Sequence, residues 1–184
     1  MSPVKLFQGI WSGIVKSAMS KGWSLTFTIH TGWTGYTKPQ MRNLLTLLDA
    51  IHIPFARPEY QPRDGVTYCN MFVSDVCDIY GFRGFRKMLA NQICDALQTS
   101  NDWTEINIEK AQELANGGTL IIAAIRGAEH GHVNIICPGR PKYSGRWGEV
   151  PTVANVGKDN FIGKGINWAF SDMPKLYAWK PSLP

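Results

Sequence analysis

Val66-Thr-Tyr-Cys-Asn-Met-Phe-Val-Ser-Asp-Val-Cys-Asp-Ile-Tyr80 decides how the rest of the chain is read. Phe72, Val73, Val76, Ile79 and Tyr80 recur at helical spacing and Gly81 follows as a stop, so the pattern predicts a helix. Thr67 is in place to cap it, which puts Cys69 in the first turn. There the unpaired N–H groups and the positive end of the helix dipole favour a thiolate over a thiol. A cysteine so placed is a candidate nucleophile if the fold brings a histidine beside it. The competing reading is core, because a cysteine in an apolar helix packs as a small hydrophobe more often than it reacts.

Upstream of this stretch, His52 to Gly65 carries Pro54, Pro58 and Pro62 and is expected to be extended or loop. Before it, Thr37 as cap, Pro39 near the first helical position and a face of Met41, Leu44, Leu45, Leu48 and Ile51 predict a helix. Residues 1–36 stand apart from the expected 37–184 domain. Phe7, Ile10, Trp11, Ile14, Val15 and Ala18 make one apolar helical face, interrupted by Gly9 and Gly13. Such a helix, over residues 5–19, can pack on a protein or lie in a membrane interface. Trp23, Leu25, Phe27 and Ile29 then alternate as in a strand or hairpin ending in a Thr/Gly-rich turn.

Downstream, Phe85, Met88, Leu89, Ile93 and Leu97 predict another amphipathic helix, and Ile108 to Asn116 a shorter one stopped by Gly117-Gly118. The character then changes to strands. Thr119 to Arg126, the turn Gly127 to Gly131, and His132 to Cys137 read as a hairpin. A polar loop leads to a third strand within Val150 to Gly157, and Lys175 to Lys180 reads as the last, with Phe161 to Phe170 ambiguous. Helices first and an antiparallel sheet after them is the α+β order.

Bulk properties bound the function. The chain has 184 residues, enough for one ordinary core, and a net charge of +5. The modest basic excess suits an anionic partner, but lysines and arginines are scattered, so nucleic acid is not the expected one. Cys69, Cys77, Cys94 and Cys137 form no CxxC pair and no cluster with histidine, which argues against structural zinc and for free thiols. No apolar run is long enough to cross a bilayer and no signal-peptide pattern opens the chain. A protein of this kind is expected to be made in the cytoplasm. It would reach a target outside by lysis, a secretion machine or a virion.

For the histidine, strand alternation sends His132 and Asn134 to one face and Val133, Ile135 and Cys137 to the other. If the helix starting at Cys69 packs on the His132 face, the imidazole can take the thiol proton. Asn155, on the neighbouring predicted strand, is the first choice to orient the ring, with Asn134 and Asp159 behind it. His130, in the turn two residues earlier, is the rival base, whereas His30 and His52 read as surface or loop residues.

The motif Thr67-Tyr-Cys-Asn-x-Phe-Val73, followed much later by Gly131-His-Val133, resembles the papain-like bacterial cell-wall hydrolases of the CHAP and NlpC-type group. The likeness is greatest to endolysin-type members of phages and prophages, and it covers roughly Tyr60 to Trp179. It implies a nucleophile helix packed on a C-terminal antiparallel sheet. It also implies hydrolysis of an amide in peptidoglycan, at the muramoyl–alanine link or within the stem peptide, with no metal or organic cofactor. Position by position, Cys69 matches the nucleophile, His132 the general base and Asn155 the orienting residue. First-turn N–H groups would hold the oxyanion, with Tyr68 or Asn70 assisting and Asn134 lining the site. The chain departs from the NlpC-type pattern, which has Asp before the cysteine and Ser-Gly after it, so the bond cleaved stays open.

Two other functions fit the same residues. The dyad can act on an amide of a protein or small molecule, as deamidases and acyltransferases do. Alternatively the chain is a non-catalytic envelope-binding module whose working part is the N-terminal helix, with Cys69 simply core.

Overall fold

The computed structural model describes residues 38–63 and 65–183. The expected N-terminal helix, the strand or hairpin of Gly22 to Tyr36 and the Thr37 cap lie outside the described residues. Residues Thr37–Pro184 belong to one compact unit.

Three helices come first. α1, Lys38–Phe55, buries Leu44, Leu47, Ala50 and Ile51 completely. Its buried stripe therefore runs through Leu47, while Leu45 and Leu48 are only half-buried. The helix also continues through Pro54, where extended chain was expected. The proline sits in the last turn, where only one hydrogen bond is lost, and its ring is buried with the preceding face.

α2 spans Cys69–Tyr80. Its N-cap is Tyr68, not Thr67, and no side chain closes the cap. Cys69 is thus the first helical residue, and the first intrahelical bond runs from Phe72 N–H to the Tyr68 carbonyl at 2.9 Å. Gly81 ends the helix at φ 120°, a conformation that favours glycine. α3 is shorter than its sequence pattern, Ala90–Thr99. Phe85 and Met88 belong to a turn that includes Lys87 at φ 63°, and a turn can imitate one helical repeat of apolar residues. Gln92 Oε1 accepts the Leu89 N–H at 2.8 Å and starts the helix there.

The rest is mainly sheet. β1 (Trp103–Ile106) precedes α4 (Ile108–Asn116). There follow β2 (Ile121–Ile125), β3 (His132–Ile136), β4 (Lys142–Ser144), β5 (Gly148–Val150), β6 (Thr152–Asn155), β7 (Phe161–Gly165) and β8 (Lys175–Trp179). Six of these form one sheet in the order β1-β8-β2-β3-β6-β7, and β4 and β5 pair separately as a small hairpin. Every pairing between these strands is antiparallel. The fold is α+β. α4 ends at Gly117-Gly118 as its sequence predicts. Gly118 has φ 91°, and a Cβ there would lie 2.4 Å from the Leu44 amide nitrogen, so only glycine lets α1 and this turn meet.

Helices cover both faces of the sheet. On one face Leu47, Phe72, Val73, Val76, Ile93 and Leu97 pack on Val133, Ile135 and Ala154. On the other, Ala111 and Ala115 of α4 join Ile121, Ala123, Ile136, Val153, Phe170 and Leu176. Among the described residues no helix is long and apolar enough to cross a membrane.

Candidate active site

The polar end of β3 is where the sequence motifs converge. β3 and β6 pair Ile135 with Ala154 and Ile136 with Val153, which sets Asn134 against Asn155 and His132 against Gly157 on one face. The His132 Nε2–H donates to Asn155 Oδ1 at 2.7 Å. That proton assignment follows from the amide. Asn155 Nδ2 donates to the Asp159 carbonyl at 2.8 Å, so its oxygen must face the ring, and Nε2 must carry the hydrogen. Nδ1 is then the bare, basic nitrogen, and among the described residues it has no hydrogen-bond partner. Asn134, completely buried, sends its Nδ2 to the same Asn155 oxygen at 3.5 Å, while its own Oδ1 has no partner among the described residues.

The ring is tightly bounded. Phe170 stands 5.0 Å from it between centroids. A Cβ on Gly157 would approach His132 Cε1 to 3.2 Å and Asn155 Nδ2 to 3.3 Å, so glycine makes room for the imidazole. Burial lowers the His132 pKa below the usual 6.5, and the Asn155 bond offsets part of that effect. The imidazole is neutral at neutral pH.

His132 and Asn155 open on a cleft of about 320 Å³ lined also by Thr67, Gly157, Lys158, Asp159, Trp168 and Ala169. Thr67 lies two residues before Cys69 and links the cleft to the start of α2. Further hydrogen bonds fix the cleft's rim. The Gly157 N–H donates to Asn160 Oδ1 at 3.0 Å, and Asn160 Nδ2 donates to the Tyr60 carbonyl at 2.9 Å. The Tyr60 hydroxyl donates to Asp75 of α2, which also pairs with Arg57 at 2.5 Å. The Gly157–Asn160 turn and the segment leading into α2 are therefore tied together.

Cys69 is 5 % exposed and belongs to the same buried cluster as Val133, Ile135 and Val156. This corrects the expectation that α2 packs on the His132 face. The helix covers the Val133/Ile135 face, and the imidazole points to the other. At the end of β3 the main-chain amide of Val133, the residue after His132, faces the sulfur. Among the described residues no hydrogen bond joins Cys69 to His132. Burial raises the thiol pKa, partly offset by the main-chain amides of Val133, Asn70 and Cys69 itself. At rest the pair is a thiol and a neutral imidazole, not an ion pair.

The other candidates sort clearly. Asn70 keeps its main-chain N–H toward the sulfur, but its side chain donates to the Met88 carbonyl at 2.8 Å and is not free to hold an oxyanion. The Tyr68 ring packs against the core, so its part at α2 is the backbone cap. Asn134 lies behind Asn155 and does not line the cleft. Asp159 contributes its carbonyl to Asn155, so its carboxylate is not the orienting group. His130 is exposed in the β2–β3 turn, outside the cleft. Cys77, Cys94 and Cys137 are buried and all four cysteines are free.

Sequence reasoning missed Lys158, Trp168 and Phe170. Lys158 sits in a turn, whose Gly-Lys-Asp-Asn composition was the only available signal. Trp168 ends the 3₁₀ turn Ile166–Trp168, and Phe170 follows it, in a stretch with no apolar period to read. Neither a family model nor a curated protein matches the chain.

Proposed function

We propose that the chain is a cysteine-dependent amidohydrolase of peptidoglycan, with Cys69 as nucleophile, His132 as base and Asn155 as the residue that orients the base. The observation that carries this reading is the 2.7 Å bond from His132 Nε2–H to Asn155, in a cleft that adjoins the start of the Cys69 helix. A histidine held by an asparagine through one ring nitrogen, with the other left basic, is the arrangement a thiol nucleophile requires. The antiparallel sheet behind it and the preceding nucleophile helix correspond to the papain-like order implied by the sequence resemblance.

The chemistry is acyl transfer. Cys69 does not line the cleft and lies on the opposite face of the sheet from the ring. The reaction therefore requires substrate binding to bring sulfur and Nδ1 together at the end of β3, as catalytic contacts tighten in bound complexes. As Sγ attacks the amide carbonyl carbon, Nδ1 accepts the thiol proton. The main-chain N–H groups of Cys69 and Asn70, which face the sulfur at rest, are the donors that would pass to the developing oxyanion. The C–N bond breaks as the imidazolium returns the proton to the leaving amine. Water, activated by the same ring, then opens the thioester and restores the thiol.

A second reading, that of a non-catalytic envelope-binding module, draws on the 5 % exposure of Cys69 and its position on the opposite face from His132. One experiment separates the two: mass spectrometry of muropeptides after digestion by the natural chain and by Cys69→Ala. The hydrolase releases new termini, and the variant is slower by on the order of a thousandfold or more with an unchanged thermal midpoint. Undiminished release by Cys69→Ala sinks the hydrolase reading, as does inertness of the natural chain.

A further inference from the structure

Asn160 closes the turn between β6 and β7 with both ends of its side-chain amide. Its Oδ1 accepts the Gly157 N–H at 3.0 Å, and its Nδ2 donates to the Tyr60 carbonyl at 2.9 Å. An amide set between a main-chain donor and a main-chain acceptor has one orientation only. The reverse would oppose donor to donor and acceptor to acceptor. The turn it closes carries the exposed residues Lys158 and Asp159, and the Asp159 carbonyl is the acceptor that faces Asn155 Nδ2 at 2.8 Å. Asn155 Oδ1 is left to the His132 Nε2–H at 2.7 Å. Polarity therefore passes without a break from two main-chain groups to the imidazole. Asn134 cannot set it. Among the described residues its amide has one engaged end only, and it can turn together with that of Asn155.

We infer that Asn160 is a positioning residue for His132: by holding the Asp159 carbonyl in place it fixes the Asn155 amide and keeps the ring in the tautomer whose Nδ1 is bare. With the turn open, the Asn155 amide could reverse and present its N–H to Nε2. The ring would then carry its proton on Nδ1, where it cannot receive one from a thiol. Asn160 also ties the ring to the nucleophile helix. Tyr60 is buried, its carbonyl accepts from Asn160, and its hydroxyl donates to Asp75 of α2. One chain of hydrogen bonds thus runs from α2 to the imidazole, although Asn160 itself does not line the cleft. The role of Nδ1 as base rests on the hydrolase reading above; the tautomer does not.

Two readouts on the full chain test this: the tautomer of His132, from its ring nitrogen chemical shifts at neutral pH, and the kinetics of release from peptidoglycan. The natural chain should show a protonated Nε2 and a bare Nδ1. Asn160→Leu, similar in size but without an amide, should give a mixture of tautomers, with the two ring shifts drawn together. It should also lower kcat by about tenfold with KM within about twofold. Asn160→Asp, whose carboxylate can still accept the Gly157 N–H, should restore the Nε2–H tautomer. Asn160→Ala takes the place of the leucine variant if that chain does not fold. A protonated Nδ1 in the natural chain overturns the inference, as do ring shifts that are unchanged when the amide is removed. A natural chain that cleaves nothing overturns the hydrolase reading instead, and the ring shifts still decide what Asn160 does.

Discussion

β3 and β6 are joined by polar side chains at both ends, and the two ends differ in one respect. At the β3 exit, Gln112 of α4 is 7 % exposed and uses both ends of its amide. Its Nε2 donates to the Cys137 carbonyl and to Asn116 Oδ1 at 3.1 Å each, and its Oε1 accepts the Thr152 N–H at 2.9 Å and hydroxyl at 3.0 Å. At the β3 entrance, the His132–Asn155–Asn134 group keeps Nδ1 of His132 and Oδ1 of Asn134 without partners among the described residues and opens to a cleft. A network with every lone pair engaged has no capacity left for a substrate and acts as a staple. The unfinished one can still take a proton, and the same strand pair holds it in place.

The contrast breaks if the two ends respond alike to truncation. His132→Ala should remove the base and lower turnover of muropeptides by on the order of a thousandfold, with little change in unfolding free energy. Gln112→Ala should do the reverse. It strands the Thr152 N–H in a buried site, while the Cys137 carbonyl keeps the Thr152 hydroxyl at 3.0 Å, for a loss of about 1–3 kcal/mol in urea unfolding with turnover per folded molecule near normal. If Gln112→Ala abolishes turnover in molecules that remain folded, the staple is part of the site and the distinction falls.

Much of this arrangement was legible in the residues, for a physical reason that also marks its limit. The end of α4 at Gly117-Gly118, the β2–β3 hairpin and the alternation of His132 with Val133 are local, governed by backbone propensity and by the two-residue period of a strand. The pairing of Asn155 with His132 needed only that the third predicted strand lie beside the second. The face on which α2 packs is different in kind. It depends on whether Phe72, Val73 and Val76 match Val133 and Ile135 better than the opposite side, a long-range packing choice with no local trace. The same holds for β1 and the β4–β5 hairpin, whose strands of three or four residues are too short to show a period. Trp168 and Phe170 were illegible as site residues because a 3₁₀ turn has no face to read.

A finer comparison concerns what Asn155 adds. It is the hydrogen bond to Asn155 that raises the His132 pKa against the lowering effect of burial. Asn155→Ala should therefore move the acid limb of kcat/KM to lower pH, with turnover at neutral pH reduced by about ten- to a hundredfold through loss of ring orientation. An acid limb moving upward would mean that Asn155 does not favour the imidazolium, against the geometry of the Nε2–H bond. Asn155→Asp is the informative partner, because a carboxylate at that position stabilises the imidazolium and should move the limb upward instead.

The smallest expected effect is on stability. His132 and His52 both have lowered pKa values, through desolvation in each case, although the His52 side chain is exposed and Asp49 offsets part of its shift. Each is neutral in the folded chain at a pH where the unfolded chain is already protonated. Between the lowered folded value and the unfolded 6.5, the unfolded state binds more protons, so stability rises with pH across that window and is lost as pH falls through it. The contribution is fully present above 6.5. Urea midpoints measured from pH 7.5 down to pH 5 should fall, and His132→Gln, which cannot charge, should fall less steeply than the natural chain. The Gln112 staple, having no group that titrates in this range, predicts that Gln112→Ala lowers the whole curve without changing its slope. Parallel curves for His132→Gln and the natural chain would show that the cleft-facing imidazole is not desolvated, and that the open end of β3 is wetter than its burial implies.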